Sequence, residues 1–321
     1  MLKVAMLGCG PVGKTHHAPA FAATEGVKLV AACDLVEEKA KALAAQYSIP
    51  HYTDAAKMLE KEEIDCVDVC MREQWRPEPL MMCLRAGKHV FTEKPLAGAK
   101  GQYNVEEGDL ATGKKILDVW RASGKFFGIN FNYRTAPHAK ALKAAIDRGD
   151  LGQPILINVY AHLDCWSHVI DLMRWFNGEV DEVMAYMGNE PAGKTRTAAL
   201  KFQNGTIGAL IGVTKNREKL ILRIEYLGTL GKLVISELTG PCEFYPEDPK
   251  KPKQVLWAPA DGNPRGAFGQ TFRDSVQNFA RAVRDGQAPP VTGLDAYREL
   301  EIDAALPMSA SRHAPVKIEH Y

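Results

Sequence analysis

Along the first 133 positions, apolar residues come in short runs, each followed by a turn and then by a segment whose apolar positions recur three and four apart. KVAMLG (3–8) leads into a helix from about Gly13, and VKLVAACD (27–34) into one over 37–46. A helix near 55–62 precedes IDCVDVC (64–70), one near 79–86 precedes KHVFTEK (88–94), and one near 116–123 precedes KFFGINFNY (125–133). Strands alternating with helices predict a parallel sheet covered on both faces, and runs such as VKLVAAC, apolar without strict alternation, fit strands buried on both sides.

Beyond residue 150 the pattern changes. PILINVYAH, VDEVMAYMG, TAALKF, TIGALIGV, LILRIEYLG, KLVISE and QVLWAP follow one another with short turns, which predicts an antiparallel sheet. Asn204-Gly205, between two of these runs, is a hairpin signal. Helices are expected near 165–176, 268–285 and 295–311. The fold class is therefore α/β: a doubly wound parallel sheet over 1–124, to which a strand at 125–133 returns, then an α+β domain over 134–321. The last helices are expected to pack back toward the first domain.

Composition narrows the function. Of 321 residues, 46% are hydrophobic and 25% charged, the balance of an ordinary globular chain, and the net charge of +1 offers no surplus for a nucleic-acid backbone. No run reaches the roughly 18 apolar residues of a membrane helix, and no signal peptide opens the chain, so a cytoplasmic protein without nucleic-acid or membrane partners is expected. The seven cysteines are odd in number and lack CxxC spacing, which suggests reduced thiols; Cys66 and Cys70 have no second ligand pair nearby, so no metal is expected.

Gly8, Gly10 and Gly13, with Pro11 and Val12 between, form GxGxxG after a strand and before a helix. This arrangement brings backbone N–H groups to a pyrophosphate. The next strand ends at Asp34, 21 residues past Gly13, where a carboxylate can bond the adenosine ribose and repel the extra phosphate of NADP. NAD is thus expected over NADP, although Asp34 could also cap the turn at Val36. Lys94 follows the fifth strand, at the carboxyl ends where such folds bind ligand, and Pro95 keeps it out of the αR region. Asp164, His168 and Asp171 lie at the start of the helix near 165–176; Asp164 could cap it and Asp171 could orient the imidazole, or His168 and Asp171 could be surface residues of an amphipathic helix.

Taken in order, GCGPVG, Asp34, GKHVFTEKPLA (87–97), GINFNYR (128–134), DRGDLGQP (147–154), DxxxHxxD (164–171) and PPVTGLDAYRELEIDAALPMSAS (289–311) resemble the glucose-fructose oxidoreductase, inositol dehydrogenase and MocA (Gfo/Idh/MocA) family over nearly the whole chain. The resemblance implies a Rossmann domain and a C-terminal domain whose open, mostly antiparallel sheet often makes homodimers or homotetramers. It implies oxidation or reduction of a secondary hydroxyl or ketone on a sugar, polyol or cyclitol. Lys94 and His168 then match the acid/base pair, Asp164 the substrate-binding carboxylate, and Glu93 the residue beside the cofactor ribose. Proton removal must accompany hydride departure, and Lys94 or His168 can accept it.

Two segments depart from the family pattern. The fourth strand is followed by Met71-Arg72-Glu73-Gln74-Trp75-Arg76, and Trp166 stands where relatives often have glycine. Trp166 could stack on a sugar or pack in the core; His162, Tyr133 and Arg134 are further candidates for substrate contact. Besides a dehydrogenase, the residues allow a redox-neutral glycoside hydrolase or lyase working by transient oxidation and elimination, or a nucleotide-binding sensor without catalysis. Retention of Lys94, Asp164 and His168 together argues against the sensor.

Overall fold

The computed structural model describes residues 1–188, 193–214, 221–259 and 264–321. They form two compact units, one of Met1–Asn132 with Phe272–Leu300, the other of Tyr133–Thr271 with Glu301–Tyr321. The first division falls beside the expected end of the strand at 125–133, and the first unit also takes Phe272–Leu300, so the chain passes between units three times.

In the first unit, β1 (Leu2–Leu7), β2 (Val27–Cys33), β3 (His51–Tyr52), β4 (Cys66–Val69), β5 (His89–Thr92) and β6 (Phe127–Ile129) form one sheet in the order β3-β2-β1-β4-β5-β6. Every pairing is parallel. The order reverses between β1 and β4, which opens a crevice at their carboxyl ends. A π-wound turn, Gly13–His17, runs into α1 (Ala18–Ala22); α2 (Glu37–Tyr47), α3 (Ala55–Lys61), α4 (Pro77–Arg85) and α5 (Glu107–Ser123) follow. Asp54 caps α3 through the N–H groups of Ala56 and Lys57. α5 begins nine residues before the expected start, where Glu106 and Asp109 form a reciprocal cap. Its Gly113 interrupts the apolar pattern because a Cβ there would meet Leu300 at 2.7 Å. α8 (Pro264–Arg284) supplies Val276, Phe279, Ala280 and Val283 to the core formed by Val4, Met6, Leu29 and Phe91.

The second unit has α6 (Pro137–Asp147), β7 (Pro154–His162), α7 (Trp166–Asn177), β8 (Val180–Gly188), β9 (Thr195–Phe202), β10 (Ile207–Val213), β11 (Leu222–Gly228), β12 (Gly231–Ile235), β13 (Cys242–Pro246), β14 (Gln254–Trp257) and β15 (Val316–Lys317). Most of α9 (Gly293–Arg312) also belongs to it. The nine strands lie in the order β14-β13-β12-β11-β7-β10-β9-β8-β15. All neighbours are antiparallel except β7 and β10, which the sequence pattern alone did not separate from the rest. Gly205, at φ +87, turns the expected hairpin between β9 and β10. β13 was not expected, and residue 220, the first of the run LILRIEYLG, lies outside the described residues. Strand β7 alternates: Ile157, Val159 and Ala161 are buried, while Asn158 and Tyr160 face the less covered side.

Candidate active site

Gly8 follows β1 at φ +101, and a Cβ there would stand 2.3 Å from the carbonyl oxygen of Cys70. Only glycine fits. A Cβ on Gly13 would meet the Gly8 carbonyl oxygen at 2.7 Å, so this glycine lets the helix start close against the loop. Gly10 is different: nothing lies within 4 Å of a Cβ built on it. Its open face is where a phosphate can approach the backbone, with the exposed Pro11 and Val12 beginning the helical turn beside it. Asp34 directly follows β2; one carboxylate oxygen accepts the Cys9 N–H at 2.8 Å and the other the Val36 N–H at 2.9 Å. It therefore makes the cap weighed from the sequence and also holds the glycine loop, a role the sequence did not suggest, and it retains lone pairs that could serve ribose hydroxyls. These features fit a dinucleotide.

At the end of β5, Glu93 and Lys94 are half-buried, and the Lys94 Nζ donates to Gln102 Oε1 at 3.1 Å. The Glu93 carboxylate accepts from His17 Nε2 at 3.0 Å, Asn130 Nδ2 at 2.7 Å and the Lys94 backbone N–H at 3.2 Å. Burial opposes its charge, but the bonded, charged His17 prevails and holds Glu93 down at about 2. The other ring nitrogen of His17 lies 3.0 Å from both oxygens of Asp68, a fully buried acid in the middle of β4. Burial alone would lower His17, yet the Asp68 charge outweighs it and raises the imidazole well above its ordinary value. Cys70 Sγ completes a cluster with His17 and Asp68 whose polar atoms lie within 4.8 Å of one another. Because Asp68 and Glu93 take both ring N–H groups, hydrogen bonding accounts for this cluster.

The unusual 71–76 loop has a structural purpose. The buried Arg76 guanidinium donates to the carbonyl oxygens of Met71, Glu93 and Pro95, and Glu73 accepts the Gln102 N–H at 2.8 Å. The loop thus braces the turn carrying Lys94. Sequence reading did not assign His17, Asp68, Arg76 or Asn130. The available signal was Asp68 itself, a charge inside an apolar strand, which requires a partner.

In the second unit, β7 passes through a single 3-10 turn, Leu163–Cys165, into α7. Asp164 does not cap this helix; Cys165 occupies the N-cap, and the His162 ring accepts the Asp164 N–H at 3.1 Å. The intervening turn displaces Asp164 from the capping position and leaves its side chain 42% exposed. His162 also contacts the Thr214 carbonyl at 2.9 Å, so its ring builds the turn. His168 and Asp171 are buried, at 4% and 0% exposure, which overturns the surface-helix reading. The Tyr133 ring stacks on the His168 imidazole, 4.2 Å between centroids and 9° from parallel, while its hydroxyl donates to Cys165 Sγ at 3.1 Å. Asp171 accepts two bonds from Arg134, at 2.8 and 2.5 Å, so it fixes that guanidinium where an imidazole partner was expected. Trp166 is 2% exposed; its indole N–H donates to Asp303 at 3.0 Å and its face meets Arg196. Its neighbours are core residues, and sugar stacking does not fit this placement.

A six-stranded parallel sheet of this order, with a glycine loop at its switch point and an acid after β2, defines a dinucleotide-binding protein. A model of an oxidoreductase family with an NAD-binding Rossmann fold matches residues 2–128, and the C-terminal alpha/beta domain of that family matches 161–318. The chain belongs to the Gfo/Idh/MocA oxidoreductase family, with NAD as its cofactor. Myo-inositol 2-dehydrogenase of Thermotoga maritima is 24% identical over 99% of this chain and 99% of its own. Myo-inositol 2-dehydrogenase from Lactobacillus plantarum matches in structure with a TM-score of 0.80 and 25% identity, covering 99% of each chain. Levoglucosan dehydrogenase in complex with NADH shares the fold at a TM-score of 0.87, with 20% identity and full coverage of both chains.

Proposed function

We propose that the protein oxidises a secondary hydroxyl of a cyclitol, sugar or polyol with NAD, and reduces the corresponding ketone in reverse. The observation that carries this reading is the buried His168, stacked on Tyr133 at the start of α7, in a chain that also presents Lys94 on a braced turn. Bound NAD supplies the hydride acceptor. Gly10, Val12 and Gly13 offer its pyrophosphate backbone N–H groups, Gly8 makes the tight turn and Pro11 starts the helical turn beside it, Asp34 accepts from the adenosine ribose, and Glu93 and Lys94 serve the nicotinamide end. Lys94 and His168 take up and return the hydroxyl proton, and Asp164 holds His168 or a neighbouring substrate hydroxyl. The stack on Tyr133 fixes the imidazole plane, so His168 needs little reorganisation when it accepts a proton.

The inositol dehydrogenase names of the relatives, the polar character of Asp164 and Arg134, and the NADH complex of a sugar dehydrogenase of the same fold support this substrate class. Homo-oligomers form through the outer face of the nine-stranded sheet, where Ile207 and Ile211 are 47% and 41% exposed beside Tyr160 and Arg223. A reducing, cytoplasmic setting agrees with seven cysteines of which none forms a disulfide, and no described helix is long and apolar enough to cross a membrane. The test is a panel of inositols, anhydrosugars and polyols with NAD. NADH formation with a product two hydrogens lighter is expected for at least one, and failure of the whole panel would reject the substrate class.

A further inference from the structure

Two carboxylates, the buried Asp68 and the half-buried Glu93, face the same ring from opposite sides, each 3.0 Å from a different nitrogen of His17. Asp68 is a costly choice for the centre of β4 unless something compensates it. Glu93 in turn holds the Lys94 backbone N–H, and Arg76 clamps the carbonyl groups of Glu93 and Pro95. The chain of contacts runs from the interior of the sheet to the backbone that presents Lys94. We propose that His17 is a positioning residue: held between Asp68 and Glu93, it fixes the Glu93 carboxylate and through it the turn carrying Lys94. The proposal rests on the oxidoreductase reading of Lys94.

Protonated, His17 can donate to both carboxylates at once, one from each ring nitrogen. Asp68 and Glu93 are then offset by the imidazolium and by Arg76, which burial lowers without discharging. The groups facing His17 are Asp68 and Cys70 from β4 and its end, Glu93 after β5, Asn130 after β6, and the uncharged rings of Phe91 and Phe272, with His16 adjacent in the chain. Asp68 supplies the attraction that overcomes burial. Replacing Asp68 by Asn keeps an oxygen for the ring N–H but removes the charge, so His17 titrates at lower pH and Glu93 loses its cationic partner as pH rises. A purely structural loss would not depend on pH in this way.

The test uses the full-length protein. In wild type, NMR of ring-¹⁵N histidine, with His17→Gln for assignment, should show His17 doubly protonated from pH 6 to 8.5. In Asp68→Asn it should lose that proton within the range. Hydrogen exchange at the Lys94 amide, corrected for intrinsic rate, should stay slow in wild type and speed up in the variant only at the higher pH. Turnover of the variant should lie within a few-fold of wild type at pH 6 and fall on the order of 100-fold at pH 8.5, the cost typical of a misplaced reacting group. A neutral His17 in wild type at pH 7, or a variant deficit equal at both pH values, would overturn the proposal. A loosened Lys94 amide with unchanged turnover would instead reject the role of Lys94 on which it rests, leaving the hydrogen-bonded network intact.

Discussion

Adding one methyl group to each of two glycines in the same loop should produce opposite phenotypes. At Gly10 a Cβ meets nothing within 4 Å, and the backbone lies outside the left-handed region, so Gly10→Ala should change stability by no more than about 0.5 kcal/mol. The added methyl occupies the face offered to the pyrophosphate. Losing one charge-assisted hydrogen bond there costs about 1.5–3 kcal/mol, which converts to roughly 10- to 150-fold weaker NADH binding. At Gly8 the methyl would lie 2.3 Å from a carbonyl oxygen on a backbone at φ +101. Strain and overpacking together should cost about 2–6 kcal/mol and lower Tm on the order of 10 °C. Thermal unfolding without cofactor and fluorescence titration with NADH read the two effects separately. Unchanged NADH affinity in folded Gly10→Ala would refute the assignment of this loop to the pyrophosphate, and wild-type stability in Gly8→Ala would refute the packing argument.

Four further outcomes are expected. His168→Ala should lower kcat by about 10²–10⁴ with NADH affinity unchanged, and Lys94→Ala should lose turnover comparably; retention of most activity by either would remove it from the acid/base pair. Asp34→Ser should weaken NAD binding and shift preference toward NADP, measured as the ratio of dissociation constants; a constant ratio would leave Asp34 with its structural bonds alone. Asp303→Ala strands the buried Arg196, 2.9 Å from it, and the Trp166 N–H, so calorimetry should show a loss of about 3–5 kcal/mol, whereas a loss below about 1 kcal/mol would mean the pair is solvated. Burial lowers His138 to about 4, so its contribution is present above pH 6.5 and lost as pH falls toward 4. The difference in urea stability between pH 7 and 4.5 should therefore shrink by about 2–3 kcal/mol in His138→Phe, and an unchanged difference would place the acid sensitivity elsewhere.

The first unit was legible because its strands are continuous apolar runs and its glycine loop is a local motif; the spacing of Gly8, Gly13 and Asp34 places them after β1 and β2, where the structure has them. Helix α5 was half missed because Gly113, required by its packing against Leu300, breaks the periodicity. Strand β13, with four of its five residues only partly buried, lacks a clear alternating signal. At the candidate site, sequence singled out Lys94 and His168 as candidates but not the residues that hold them. The His17, Asp68 and Arg76 contacts join residues tens of positions apart, and no spacing rule connects them. Of the two readings of Trp166 the structure shows the core one, and for Trp166 and Asp171 the sequence could not name the partners Asp303, Arg196 and Arg134, supplied by distant chain segments.

The central claim is hydride transfer from a carbinol carbon to NAD. Its most direct test is a single incubation with NAD and an inositol carrying deuterium on the carbinol carbons, with mass analysis of both products. Deuterium appearing in NADH, one atom per ketone formed, is the predicted result. Product formation with no deuterium in the nicotinamide, or glycoside cleavage without net NADH in a parallel incubation, would contradict it.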